Sequence, residues 1–212
     1  TDNINIRING SLNCKDLFYT AICMAVNNSS VHSISKNYQE IPCETSLRYH
    51  LKKLDIKELI RLNETILLQD PISTLKPEKK YEFAIDFTND PYYGGIDSSN
   101  ESYVIRSQAK KSTNSFYSYV SLSIINRNER YTLSVLPVEK GKTKVDYLTH
   151  FIDLIKDLHF NIKVLCLDRE FYSVDVFEFL QNKWIPHIIP VVRKGKEIKQ
   201  LLIGRKARSA EY

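Results

Sequence analysis

Three carboxylates crowd the stretch VLCLDREFYSVDVF, residues 164–177: Asp168, Glu170 and Asp175, with Arg169 between the first two. Asp168 ends an apolar run, and so does Asp86 in FAID. Aspartate is short, so a rigid strand end fixes its oxygens well enough to chelate a hard cation. Two such aspartates around Mg²⁺ (or Mn²⁺) suit the binding of a phosphodiester. The metal chemistry would activate a nucleophilic oxygen and stabilise the leaving oxygen of an in-line displacement. Either aspartate alone is more simply a turn or helix-capping residue; their pairing at equivalent positions of one sheet carries the reading. Asp90, just before Pro91, reads as a turn residue. Asp175 reads as a charge in the first turn of a helix starting near Ser173, where the dipole favours an anion.

The elements that must position this pair begin after an N-terminal helical stretch. CKDLFYTAICMAV places Leu17, Phe18, Ala21, Ile22 and Ala25 on one helical face, and NNSSVHSISKN breaks the pattern with turn formers. In the next segment Leu47, Leu51 and Leu54 are helically spaced, with Arg48, Tyr49, Lys52 and Lys53 opposite. Asp55 to Glu58 then resembles a capping box for a further helix. Short helices with a basic outer face suit a helix-turn-helix-like DNA-binding unit, and an ordinary three-helix bundle almost as well. QDPISTLKPEKK, residues 69–80, reads as a linker. The expected division is a helical module over 1–75 and a second domain over 76–212.

The second domain changes to strands. YEFAIDFT is β-rich, PYYGGIDSSNES is turn and loop, and residues 116–138 read as a hairpin around NRNER. Val145, Leu148, Ile152, Ile155 and Leu158 then repeat at helical spacing. IKVLCLD is a short apolar strand of the kind buried on both faces. SVDVFEFLQNKW aligns Val174, Phe177, Leu180 or Gln181, and Trp184, and IPHIIPVV closes as a strand. The order β, β-hairpin, α, β, α, β predicts an α/β fold: a ribonuclease-H-like mixed sheet flanked by helices. A doubly wound nucleotide-binding sheet fits less well, because neither G-x-G-x-x-G nor G-x-x-x-x-G-K occurs.

Composition narrows the partners. The net charge of +5 comes from the end of the chain: residues 193–212 hold seven Lys or Arg against two Glu, while 1–192 carry 23 of each sign. A concentrated basic segment suggests a polyanion such as nucleic acid, and a solvated tail equally. The four cysteines and five histidines have no metal-ligand spacing, which argues against a zinc site and a disulfide framework. No apolar run approaches a membrane span, and the N-terminus lacks a signal-peptide pattern, so a cytoplasmic protein with no membrane partner is expected. Lys110, Lys111, Arg193, Lys194 and Lys196 flank strands near the expected catalytic edge and are candidate phosphate contacts, as is Arg169. Tyr92 and Tyr93 are candidates for stacking on a displaced base, or for local packing after a proline turn.

AIDFTNDPYYG, FYSYVSLSI, RYTLSVLPV and above all LCLDREFYSVDVFEFLQ resemble the DDE transposases of prokaryotic insertion sequences, in the IS4-like branch frequent in archaea. The resemblance spans roughly residues 80–206, and D-R-x-F-Y-S is its most specific part. It implies a metal-dependent nuclease and strand transferase acting on double-stranded DNA, transposon ends and target, as a homodimer assembled on that DNA. Asp86 then matches the first catalytic acid and Asp168 the second. Two positions depart from the pattern. Glu170 stands where the family usually has Gly, and the family's third acid, a Glu on a helix after the fifth strand, has no counterpart; Glu211 lacks its surroundings. The resemblance therefore implies a C-terminally truncated copy with little or no strand cleavage. The alternatives are an inactive transposase acting as a DNA-binding repressor, and a stand-alone nuclease that uses Glu170 as its further acid.

Overall fold

The computed structural model describes residues 8, 12–37, 41–125, 129–192, 195 and 200. The chain divides into two compact units, Thr1–Ile66 and Leu67–Tyr212.

The first unit is helical: α1 (Cys14–Val26), α2 (Val31–Asn37), α3 (Glu44–Leu51) and α4, which begins at Ile56 and ends at Leu67. Asn13 caps α1 through a reciprocal capping box with Asp16. The turn formers before Val31 turn out to start a helix, not to interrupt one, because the Ser30 hydroxyl accepts from the Ser33 amide. Leu17, Val31, Ile34, Ile41 and Leu47 are the buried core, with Leu12, Cys23, Met24 and Leu51 packed against it. The inward face of α1 is therefore rotated from the expected one. Thr20 is buried with its hydroxyl donating to the Asp16 carbonyl, while Ile22 is 62% exposed. A back-bonded threonine can occupy a core position that hydrophobicity alone assigns to isoleucine.

The second unit opens with α5 (Gln69–Thr74), a short helix inside the stretch expected as linker. Among the described residues, six strands follow as one sheet: β1 (Lys80–Pro91), β2 (Val104–Lys110), β3 (Thr113–Ile125), β4 (Arg130–Pro137), β5 (Asn161–Leu167) and β6 (His187–Ile188), with α6 (Lys144–Asp157) before β5 and α7 (Val174–Asn182) after it. The strand order is β2-β3-β1-β5-β6, and β4 also pairs with β3. β1, β3 and β4 are antiparallel neighbours; β5 runs parallel to β1, and β6 parallel to β5. This is the expected ribonuclease-H-like sheet.

One face of the sheet is its core. Phe83 and Ile85 of β1, Leu122 and Ile124 of β3, and Leu165 and Leu167 of β5 are buried at matching registers. Tyr147, Leu148, Phe151, Ile152 and Ile155 are the buried face of α6. Thr143 and Asp146 form the capping box of α6, and the Thr143 amide and hydroxyl, both donating to the Asp146 carboxylate, hold it below its ordinary range. In α7 the inward pair is Val176 and Leu180, whereas Val174 is 69% and Trp184 91% exposed. Trp184 lies beyond the helix in a left-handed conformation (φ 53°), so the helical phase expected to carry it inward has already ended.

β1 runs to Pro91, which places Asp90 in a strand and not in the expected turn. β5 accompanies β1 only to Ile85, and beyond that the β1–β3 pair continues to Pro91 opposite Phe116. β2, absent from the expected order, lines the far edge of β3 at Phe116 and Tyr117. It joins β3 through Lys111 and Ser112, at φ 50° and 64°, with Lys110 paired to Thr113. Two consecutive positive φ values mark a type I′ hairpin turn, whose usual residues are Asn-Gly. Lys-Ser supplies neither, so no turn signal appears at this point of the sequence. Ser112→Gly relieves the left-handed strain, offset in part by the greater freedom of glycine in the unfolded chain. Urea unfolding is expected to show stabilisation of about 0.5–1 kcal/mol.

Candidate functional site

The two aspartates meet because of a parallel register. Ala84 is paired with Cys166 and Ile85 with Leu167, and the Asp168 amide continues the ladder by donating to the Ile85 carbonyl at 3.2 Å. Asp86 and Asp168 are thus the next residues on adjacent strands, with backbones about 4.8 Å apart. Asp168 remains extended at φ −67° and ψ 158°. By strand alternation both side chains point away from the buried Ile85 and Leu167, onto the face carrying Ala84 and Cys166. Asp86 is exposed and Asp168 half-buried. Ser121 lies directly across from Asp86 on β3.

After Asp168 the chain makes a single 3-10 turn, Arg169–Phe171. Asp168 Oδ1 accepts from the Arg169 amide at 2.6 Å, so the capping role expected of a strand-end aspartate is present. Oδ2 has no protein partner among the described residues. Phe171 is fully buried and its ring stacks on Phe87, with centroids 4.8 Å apart, one residue beyond Asp86. The two strand ends are locked to each other by this contact as well as by the ladder. Lys144, the first residue of α6, donates its ammonium to the Glu170 carbonyl. Spacing gave no hint of that clamp.

Glu170 is exposed on the turn, and its backbone carbonyl is what the fold uses. Arg169 is also exposed, and among the described residues no ion pair joins it to Glu170 or Asp175. Asp175 stands in the first turn of α7 as expected. No group of three or more His, Cys, Asp or Glu gathers at any one place among the described residues.

The cationic candidates are dispersed. Arg48, Lys52 and Lys53 belong to the helical unit, and all three are exposed. Arg48 pairs with Glu44 at 2.8 Å, and Glu44 also meets His32 at 2.5 Å. Those bonds, from His32 first and then Arg48, hold the Glu44 carboxyl below its ordinary range. α3 ends at Leu51, so Lys52 and Lys53 leave the helix, and the Lys53 ammonium sits 4.2 Å from the Tyr49 ring centroid. Lys110 and Lys111 occupy the β2–β3 turn: Lys110 pairs with Thr113, eight residues along β3 from Ser121, the residue across from Asp86. Arg193, Lys194 and Lys196 lie outside the described residues. Tyr92 and Tyr93 pack locally. The Tyr92 ring meets Tyr117, and the Tyr93 hydroxyl donates to the Lys111 carbonyl at 2.7 Å.

No protein-family profile and no curated protein matches the chain by sequence. Among solved structures, it is similar to the piggyBac transposase in a synaptic complex with hairpin DNA (TM-score 0.50, 14% identity), over 99% of this chain and 48% of that one. It is also similar to the Drosophila P element transposase in a strand transfer complex (TM-score 0.46, 10% identity), over 84% and 37%. At these identities the likeness bears on fold alone, and of these two only the piggyBac match reaches a TM-score of 0.5. The chain spans about half the length of the piggyBac chain. The sheet is thus of the ribonuclease-H-like kind, a fold shared with the piggyBac transposase structure.

Two stability measurements check the roles assigned around the turn. Phe171→Ala removes a buried ring stacked on β1 and is expected to cost about 3–5 kcal/mol in denaturant unfolding. Glu170→Gln leaves the clamped carbonyl in place and is expected to change stability by less than about 0.5 kcal/mol; a larger loss contradicts a solvent-facing carboxylate.

Proposed function

We propose that the chain carries the acid pair of a DNA transposase of the insertion-sequence type, one that cleaves and transfers phosphodiesters of double-stranded DNA. The observation that carries this reading is the placement of Asp86 and Asp168 at one register on adjacent parallel strands of a ribonuclease-H-like sheet. The donor set suits Mg²⁺ or Mn²⁺: hard carboxylate oxygens on rigid strand ends, open to water on one side. Mg²⁺ is commonly held by one or two carboxylates and retains several waters. Asp86 and Asp168 are the residues that would hold it. Bound there, the cation supplies Lewis-acid activation and charge neutralisation at the phosphate.

The chain's own residues have distinct tasks in this reading. Asp86 and Asp168 fix the centre through the ladder beneath them. The 3-10 turn that follows Asp168 keeps Arg169 exposed beside the pair, where its guanidinium orients a phosphate oxygen. Lys144 and Phe171 hold that turn from below, so they position the acids without touching substrate. The exposed cations Arg48, Lys52 and Lys53 of the helical unit contact DNA phosphates.

A second reading rests on the lack of a third carboxylate beside the pair among the described residues. It makes the chain a DNA-binding repressor of transposition that does not cut. Two assays separate the readings. Mn²⁺ titration followed by electron paramagnetic resonance is expected to show binding weakened at least about tenfold by Asp86→Asn or Asp168→Asn. Unchanged binding in both variants sinks the metal site. Mg²⁺-dependent nicking that both variants abolish assigns the transposase. Duplex binding without nicking, lost on Arg48→Ala with Lys52→Ala and untouched by Asp168→Asn, assigns the repressor.

A further inference from the structure

The β2–β3 turn carries a feature that the acid pair does not explain. From Arg106 to Ser118 the sequence RSQAKKSTNSFYS contains three cations and no acid. Arg106, Lys110 and Lys111 are all exposed, and none forms an ion pair among the described residues. The turn that displays them is strained, with two successive non-glycine residues at positive φ. Such strain persists only where the surroundings over-determine the conformation, and it concentrates at functional sites.

The surroundings here are specific. The Tyr93 hydroxyl donates to the Lys111 carbonyl at 2.7 Å, and the Thr113 hydroxyl donates to the Tyr92 carbonyl at 2.8 Å. The Tyr92 amide donates to the Ser115 carbonyl at 2.8 Å. The loop that follows β1 thus grips the turn and holds its backbone ready. Position matters too. β1 and β3 continue beyond Asp86 in register, Asp86 with Ser121 and Pro91 with Phe116, so the turn lies beyond the same end of the sheet as the acid pair. Eight residues separate Thr113 from Ser121, about 27 Å along the strand.

We propose that the β2–β3 turn is a docking point for the backbone of duplex DNA, with Lys110, Lys111 and Arg106 contacting phosphates. It rests on the reading of the chain as a DNA-processing protein, and adds a contact about 27 Å from Asp86, roughly eight base pairs of B-form duplex at about 3.4 Å per step. Contacts of this kind set orientation and carry no sequence preference. The turn braces the duplex while the acid pair addresses one phosphate.

The test is the salt dependence of binding to a duplex of about 24 base pairs and arbitrary sequence, measured in EDTA so that cleavage plays no part. Each phosphate neutralised contributes about 0.9 to the slope of log K against log salt. Lys110→Ala with Lys111→Ala is expected to reduce that slope by about 2, and Lys110→Arg with Lys111→Arg to restore it. Tyr93→Phe keeps every charge and is expected to weaken binding about threefold at an unchanged slope. An unchanged slope in the double alanine variant, or no duplex binding by the wild-type chain, overturns the proposal. Loss of binding to phosphatidylserine vesicles with the duplex unaffected also overturns it. Failure of the acid-pair reading shows instead in the Mn²⁺ titration of Asp86→Asn and Asp168→Asn, which contains no DNA.

Discussion

The parallel ladder between β1 and β5 is the constraint on which the site depends. Its last rung, from the Asp168 amide to the Ile85 carbonyl, lies directly beneath both carboxylates. A slip of one residue would turn Asp168 to the opposite face and bring Leu167 outward, because strand side chains alternate. Burial opposes that slip: Ile85, Leu165 and Leu167 all sit in the core beneath α6, and exposing even one of them costs about 1.5–3 kcal/mol. Hydrophobic burial on one face therefore fixes polar geometry on the other. The Phe87–Phe171 stack extends the same logic past the end of the strand.

Much of this arrangement was legible from residue types. The β5 pattern, IKVLCLD, ends at the acid it delivers, but the strand is not buried on both faces as expected: only Leu165 and Leu167 are buried, and Lys163 is exposed and pairs with Glu82. The long α6 stripe and the β3–β4 hairpin were equally plain. What escaped was structure made by bonds that hydrophobicity does not report. α2 begins on a serine hydroxyl. The β2–β3 turn uses Lys-Ser where Asn-Gly would have been recognised. The Lys144 clamp on the Glu170 carbonyl joins positions 26 apart through a backbone atom, which no side-chain pattern encodes.

Glu170 illustrates how position can mislead. Two residues from an aspartate at a strand end, it looked like a further ligand. In the fold it lies within a 3-10 turn that leads the chain from β5 into α7, and the turn uses its carbonyl. Asp168 shows the converse, since it caps that same turn with one oxygen, while the other has no protein partner among the described residues. The capping role leaves one oxygen for the metal-binding role proposed above.

The β1–β5 ladder also has a consequence in time. Its strands are separated in the chain by β2, β3, β4 and α6, so Asp86 leaves the ribosome long before its neighbour. At translation rates of about 5–20 residues per second, the roughly 80 intervening residues take on the order of 4–16 seconds to make. During that interval the nascent chain holds half of an acid pair and no second half. Whatever chemistry the pair performs is therefore withheld until synthesis has passed β5 and the sheet has closed around it.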